Sequence, residues 1–584
     1  MLGVSVNTFR VWATRSQTAT RGVAAAMPAP VATMHGHVYR LEDIERFGRV
    51  IAQNERGLRT TQRNLGAYFT PDDAAKLMVG WAVRDERDVI LEPSVGDGQF
   101  ALAAQQLAAA RRWAPLDLHA CELDPRTAAQ AIAKGAVKQE RIHVGDFLGM
   151  SDLPMADAVI GNPPYIRVRE LEGALQRGAL NAAVETMGGP MDRAGSVWMP
   201  FVSKSTSQLR RGGRLAFVLP LDFTYVKYAR PLWEFLGNMF GRIRILRFRE
   251  RVFPNISQNV LILLAEQRGG ATAKAELIAC DRVADLPDYE IGVGISIDID
   301  QIVKGDRAFQ YALLPSSTRD ALGLLAEHSD SASERAKFNI GYVSGNKRYF
   351  HPSAELIEKF RLPQRSLRPT IATSRQLSGA GLKTSRMSET VSLWLPENNL
   401  TKGERQYIYQ GEDLGIDMGY KCRIRTPWYK VPGVRVPDVL LTTFSDRPRL
   451  HLNDGGWVGS NSVLCGFVRP GEIPLQFVGS WYSPLTMLST ELHIHSLGGG
   501  VMIAVPREAD SVRILDSNST RIIDLDQLDH ALRSDDLTAA YAIGSESVRE
   551  LVGSDGLAAI WEGSEILMRW RKAQAEQSLV GLDE

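Results

Sequence analysis

An α/β fold, an open and mostly parallel sheet with helices on both faces, is what the chain predicts for residues 65–266. Two observations predict it. Short apolar runs alternate with amphipathic stretches of helical length, the pattern of consecutive strand–helix–strand units. Each run also ends in a loop rich in polar and glycine residues, and sheets of this kind bind ligands at the carboxyl ends of their strands. After about Ser331 the chain turns to short strand-like pieces rich in Arg, Ser, Gly and aromatics, which predicts a second, irregular α+β domain.

Taken in order, "DVILEPS", "LDLHACELDP", "ADAVIGNPP", "RLAFVLP", "IRILRF" and "NVLILLAE" read as strands, with a further short piece ending "HVGDFL". Ala158, Val159 and Ile160 form the sort of continuous apolar run that a doubly buried parallel strand requires. "GQFALAAQQLAAARR", "DPRTAAQAIAKGA" and "SVWMPFVSKSTSQLRRGG" read as helices. Residues 1–64 look mainly helical, and "LGVSVNTFRVW" with "VYRLEDIERF" resembles part of a winged helix-turn-helix without its first helix. Residues 267–330 read as a weakly patterned connector, 331–506 as the irregular domain, and 507–584 as a helical tail.

With 584 residues, 44% hydrophobic and 23% charged, the chain is globular and too long for one core. It contains no run of about 18 apolar residues, the length a membrane span needs, and its first residues lack the pattern of a signal peptide. The four cysteines (Cys121, Cys280, Cys422 and Cys465) are scattered, which fits a reducing cytosol and offers no metal site. His493 and His495 read as same-face residues of a strand rather than as ligands. The net charge is only +1, yet Phe201–Arg251 holds eleven basic and three acidic residues, and Gly341–Arg386 nine and two. Two such blocks in a nearly neutral chain point to a polyanion, or to solvated faces balanced elsewhere.

The loops carry the chemistry. "VILEPSVGDGQF" is strand, glycine turn, helix, in which Gly96 and Gly98 let the backbone approach a ligand. It lacks the glycine spacing or lysine of a phosphate loop, and Glu92 and Asp97 suit a cationic ligand better than a pyrophosphate. Glu122, ending the next strand, has two acceptors for the hydroxyls of a ribose. Asp146 is placed to accept from an adenine amine while Phe147 packs on the ring. Adenosine with a positive charge and no phosphate describes S-adenosylmethionine. "GNPPY" then follows an apolar strand. Pro163 and Pro164 stiffen the turn and remove N–H donors, so Asn162 and the Pro163 carbonyl offer acceptors without a competing donor. That is what an exocyclic amine needs before it attacks a sulfonium methyl, because its lone pair is delocalised into the ring.

The succession "GAYFTP", "LEPSVGDGQF", "ACELDP", "GDFL", "GNPPY" resembles the class I methyltransferases that modify exocyclic amines. It is most similar to the gamma-class, TaqI-like adenine-N6 DNA methyltransferases of restriction–modification systems. The likeness covers Leu65–Glu266 and extends loosely to "GYVSGNKRYF" and "SNSVLCGF". It implies that Tyr68, Thr70 and Pro71 cover the methionine end of the cofactor, beside Glu92, Pro93, Gly96, Gly98, Glu122, Asp146, Phe147 and Asn162. It implies catalysis at Asn162, Pro163, Pro164 and Tyr165 on a flipped-out adenine, stacked by Tyr165 and by Phe253 of "RERVFPNISQNVLILLAE". Residues 331–506 would then read duplex DNA, with Trp428 and Tyr429 of "KCRIRTPWYK" among the stacking aromatics. A monomer is expected, with a separate cognate endonuclease as a partner. "PDYE" at Pro287–Glu290 lacks the following acid-x-lysine of a nuclease.

The same turn occurs in enzymes acting on RNA guanine N2 or on the glutamine amide of release factors, which stand as alternatives. The basic, aromatic C-terminal half favours nucleic acid. A non-catalytic DNA-binding protein of the same fold is a further alternative, opposed by the intact Asn162–Tyr165 turn.

Overall fold

A computed structural model describes residues 70–584 apart from 172, 251, 253–258, 287–290, 306, 378, 387–390, 497–499, 521–523 and 581–584, together with two short strands, Ala32–Thr33 and His37–Val38. The expected helix-turn-helix, Tyr68, Phe253 and "PDYE" lie outside the described residues. The chain divides into two compact units. The first comprises Met1–Leu219, Pro231–Ile243 and Ile262–Thr272, and the second Pro220–Arg230, Arg244–Leu261 and Ala273–Glu584.

The main sheet is built from β1 (Val89–Glu92), β2 (Asp117–Glu122), β3 (Ile142–Val144), β4 (Ala156–Gly161), β5 (Leu209–Pro220), β6 (Phe240–Phe248), β7 (Val260–Arg268), β8 (Lys274–Cys280) and β9 (Ile295–Asp298), in the order β9-β8-β6-β7-β5-β4-β1-β2-β3. β3, β2, β1, β4 and β5 pair in parallel, as do β6 and β8, while β9 closes antiparallel on β8. Burial explains the strands: Ala158, Val159 and Ile160 are fully buried, as are Leu215 to Leu219.

Helices α1 (Asp72–Ala82), α2 (Gln99–Arg111), α3 (Pro125–Ala133), α4 (Gly173–Met187), α5 (Trp198–Ser207) and α6 (Arg230–Met239) alternate with these strands. Their ends are written locally. Asp124 caps α3 by accepting from the Arg126 N–H, with Pro125 at the first helical position. Asp72 and Asp73 lie in the first turn of α1, where the helix dipole favours them. Gly98 opens α2 at φ 88°.

The structure departs from the sequence reading in three places. "RRGG" belongs to the start of β5 and not to α5, since Arg210 pairs with Asp157 and Gly212 takes a positive φ. The stretch 267–330 contains β8 and β9, two strands of the main sheet, as well as helix Ser316–Leu325. Their alternation is too short to stand out in sequence. His493 ends a helix and bonds the Ser489 carbonyl, while His495 faces Glu508 at 2.7 Å, so they do not share a strand face.

In the second unit, Ala321 and Leu325 share one core with Leu485, Leu488, Val548, Ile560 and Leu567, which draws segments from both sides of residues 331 and 507. A four-stranded sheet of Ala336–Ile340, Val463–Val468, Val439–Thr442 and Leu450–Leu452 forms another part of this unit.

An added Cβ at Gly98 would stand 2.5 Å from the Ala136 methyl, in a backbone conformation that side chains resist. Gly98→Ala is therefore expected to destabilise the first unit by about 2 kcal/mol or more, from left-handed strain plus overpacking. Its thermal unfolding, followed by circular dichroism, should shift down, whereas Gly96→Ala, with open space around its Cβ, should cost only the strain.

Candidate active site

Four strand ends converge on one cavity in the first unit. It is lined by residues that follow β1, β2, β3 and β4, together with Thr70 and residues of α4 and α5. Four carboxylates (Glu92, Asp97, Glu122 and Asp146) line it, and among its described lining residues there is no Lys, Arg or His.

Glu92 ends β1. It is 1% exposed, and neither carboxylate oxygen has a hydrogen-bond partner within bonding geometry among the described residues. Burial, reinforced by Asp97 and Glu122, pushes its pKa well above the ordinary value of 4.5, against the lowering effect of the nearby Ala101 N–H. At the end of β2, Glu122 spends one oxygen on the Gly96 N–H at 3.0 Å and the other on the Asp124 N–H at 3.0 Å. Those bonds fix the carboxylate against the glycine turn and leave each oxygen a further lone pair for a ligand.

Asp146 follows β3. One oxygen accepts from the Leu148 N–H at 3.0 Å and caps the turn Phe147–Gly149. Its pKa is raised by burial, against the lowering effects of that N–H and of Lys204. Lys204 of α5 pins the turn by donating to the carbonyls of Leu148 at 2.9 Å and Met150 at 2.6 Å. Phe147 is 2% exposed and packs on Phe201, ring centroids 5.2 Å apart.

Asn162 follows β4. An added Cβ on the preceding Gly161 would stand 3.2 Å from the Pro93 ring, so the strand passes close to the β1 loop there. The Asn162 carbonyl accepts from Ser94 Oγ at 3.1 Å, its Nδ2 donates to Thr70 Oγ1 at 3.3 Å, and its Oδ1 accepts from the Tyr165 hydroxyl at 2.9 Å. The amide is thus held so that its oxygen faces an exchangeable hydroxyl donor.

Of the residues expected here, Thr70, Glu92, Pro93, Gly96, Glu122, Asp146, Phe147, Asn162 and Pro164 line the cavity. Pro71 precedes α1, Gly98 opens α2, Pro163 is buried beneath the turn, and Tyr165 stands beside Asn162 without lining the cavity. Sequence reasoning missed Ser94, Thr127, Leu148, Leu175, Val197 and Phe201, which also line it. Ser94 and Leu148 flank residues that were found. Leu175, Val197 and Phe201 sit on α4, in the turn before α5 and on α5, and no local pattern distinguishes them from ordinary core.

The expectation for Trp428 and Tyr429 is corrected. Both are partly buried against an aromatic core of the second unit that contains Tyr349, Tyr407 and Trp394. Tyr349 and Tyr407 stack at 4.6 Å and exchange hydroxyl–carbonyl bonds, and Arg425 is spent on the Val343 and Ser344 carbonyls. These side chains hold the domain together, because aromatic bodies bury more stabilising area in a core than at a wet surface.

Residues 139–253 match the family model described as the Eco57I restriction-modification methylase, and residues 306–548 match that of the C-terminal domain of Type II methyltransferase M.Eco57I. Two separate stretches of the chain are thus similar to domains of restriction–modification methyltransferases. Over 200 residues the chain is 30% identical to the Type II methyltransferase M.HincII of Haemophilus influenzae, covering 34% of the chain and 36% of that relative. Over 407 residues it is 19% identical to M.AccI of Acinetobacter calcoaceticus, covering 66% and 72% of the two. The first of these matches thus spans about a third of the relative's length. The type IIG restriction endonuclease BpuSI superposes with a TM-score of 0.41 at 13% identity, covering 93% of the chain and 71% of that structure. The chain has the expected α/β fold with a mostly parallel sheet, followed by a C-terminal domain.

The cavity suits the cofactor expected from the sequence. A buried carboxylate with no partner is costly unless a cation or donor meets it. Among the described lining residues no cation meets Glu92, which suits a positively charged, phosphate-free ligand, while Glu122 and Asp146 offer acceptors for hydroxyls and an amine. The raised pKa of Glu92 also has a consequence for folding. The folded chain holds this proton to higher pH than the unfolded chain does, so stability is lost as pH rises from about 4.5 toward the raised value. Glu92→Gln lacks this loss. Its melting temperature relative to the unsubstituted chain is expected to rise as pH is raised above about 5, while its affinity for S-adenosylmethionine, measured by calorimetry, falls at least ten-fold.

Proposed function

We propose that this protein is a site-specific DNA methyltransferase that transfers a methyl group from S-adenosylmethionine to the N6 amine of an adenine flipped out of duplex DNA. The reading extends to the gamma class, to a monomer acting in a bacterial cytoplasm, and to the modification arm of a restriction system with a separate endonuclease. The single observation that carries it is Asn162, held by Thr70 and Ser94 at the edge of an anionic cavity, with its side-chain oxygen accepting from a movable hydroxyl.

S-adenosylmethionine supplies an activated methyl group on a sulfonium. The chain supplies the rest. Glu92, Asp97 and Glu122 hold positive charge and orient the ligand, and Asp146 with Phe147 meets the adenine ring of the cofactor. Asn162 Oδ1 and the Pro163 carbonyl accept the two hydrogens of the target amine. That localises the nitrogen lone pair and stabilises the positive charge that grows as it attacks. The entering amine replaces the Tyr165 hydroxyl at Asn162 Oδ1, and the freed ring stacks on the base. The base must leave the duplex to reach such a turn, at the cost of its pairing and stacking.

Type II methyltransferases among the relatives support a DNA substrate over RNA or a release factor. In a methylation-deficient bacterium, long-read sequencing is expected to find modified adenines in one short motif when this chain is expressed, and none with Asn162→Ala. An unmodified genome, with cofactor binding intact, would reject DNA as the acceptor. Tyr165→Phe keeps the ring and loses only the hydroxyl that Asn162 Oδ1 accepts, so its kcat should stay within about ten-fold of the parent, whereas Tyr165→Ala should lose 100-fold or more, the order expected when an aimed interaction is removed.

A further inference from the structure

The second unit holds a wide cleft of about 960 Å³. Its walls come from Tyr225–Arg230, β9 and the helices that follow it, and His493, Arg507, Glu508 and Ser511. Among its described lining residues are six cations (Lys227, Arg230, Lys304, Arg307, Arg319 and Arg507) and one carboxylate, Glu508.

That carboxylate is already spent. Glu508 pairs with Arg307 at 2.8 Å and with His495 at 2.7 Å. Arg307 also donates to the His493 carbonyl and stacks on Tyr225 at 4.7 Å, so it ties three wall segments together and is not a ligand group. Lys304 pairs with Asp300. Lys227, Arg230, Arg319 and Arg507 make no ion pair among the described residues. Elsewhere on this chain exposed cations face acids, as in Arg210–Asp157, Arg533–Asp529 and Arg569–Glu565. Arg230 lies so close to Gly305 that a Cβ there would meet its guanidinium at 1.8 Å. Gly305, at φ 97°, leaves room for this cation where another residue would expel it.

Several like charges gathered in a concavity without counter-charges repel one another, and a polyanion relieves that repulsion. We propose that this cleft is a sequence-independent docking site for the phosphodiester backbone of duplex DNA, an inference that rests on the reading of the chain as a DNA-modifying enzyme. A compact free phosphate or nucleotide calls for convergent, enclosed donors, whereas Lys227, Arg319 and Arg507 are exposed and lie on three separate segments. Backbone contacts fix register and carry no base information, so the cleft sets affinity for any sequence and leaves motif choice to other residues. The Gly341–Arg386 block contributes no residue to it.

The test uses the full chain carrying Lys227→Ala, Arg319→Ala and Arg507→Ala together, with Lys227→Arg, Arg319→Lys and Arg507→Lys as the charge-conserving control. Binding of a fluorescein-labelled duplex of scrambled sequence is followed by anisotropy over a salt series. Each lost phosphate contact removes about 0.9 from the slope of log K against log salt, so the triple alanine variant should be shallower by about 2.7 and weaker on the order of 100-fold at 0.15 M salt. The control should keep the parental slope, and all three proteins should bind S-adenosylmethionine equally. An unchanged slope in the alanine variant would overturn the proposal. So would saturable binding of ATP or inorganic phosphate that the variant loses while its duplex slope stays parental, which would make the cleft a small-anion site. Methyl transfer to duplex DNA is assayed on the same parent preparation. If it is absent while the slopes differ, the catalytic reading fails and the docking site stands.

Discussion

Parallel pairing in near-common register is the constraint on which the rest of the first unit depends. Glu92 pairs across from Ala120, Glu122 from Val144, and Leu91 from Val159. With the strands aligned in this way, the loops after β1, β2, β3 and β4 all emerge at one edge. A slip in any pair would move a carboxylate by more than 3 Å along its strand and turn alternate side chains to the opposite face. The buried apolar faces of β4 and β5 make such a slip costly, so the geometry of a polar site is secured by an apolar core.

The two units place charge in opposite ways. The cavity of the first gathers four carboxylates and leaves Glu92 buried without a hydrogen-bond partner among the described residues. Desolvation of that group is a cost that a cation beside it would offset. Asn162 follows the same logic with neutral groups. Its amide is oriented by Thr70 and its oxygen accepts from the Tyr165 hydroxyl. The second unit instead gathers cations around a cleft in which Glu508, the carboxylate among the described lining residues, is already doubly paired. A chain with a net charge of +1 thus concentrates carboxylates in one unit and cations in the other.

The strands and helices of the first unit were legible because burial on both sides of a sheet leaves continuous apolar runs, and because caps such as Asp124 with Pro125 are local signals. The site was legible for a related reason. A parallel strand hands its functional residue to the loop directly after it, so Glu92, Glu122, Asp146 and Asn162 each follow an apolar run in sequence. Leu175, Val197 and Phe201 were not legible, since they reach the same cavity from helices whose apolar faces read as core. Trp428 and Tyr429 misled for the converse reason. An aromatic beside arginines looks the same in sequence whether it stacks on a base or on Tyr349.

Local chemistry therefore settled most element types of the main sheet, the glycine turn, the stiff Asn162–Tyr165 segment and the order of the loops that line the cavity, because each depends on neighbours a few residues apart. Three matters were left to tertiary packing. Glu92 became an orphaned carboxylate only when the core closed over it. The Tyr165 hydroxyl met Asn162 Oδ1 only in the folded turn. Lys227, Arg319 and Arg507, separated by up to 280 positions in the chain, came to line one cleft only in the folded second unit. Electrostatic energy depends on distance in space and on burial, and neither quantity exists along an unfolded chain.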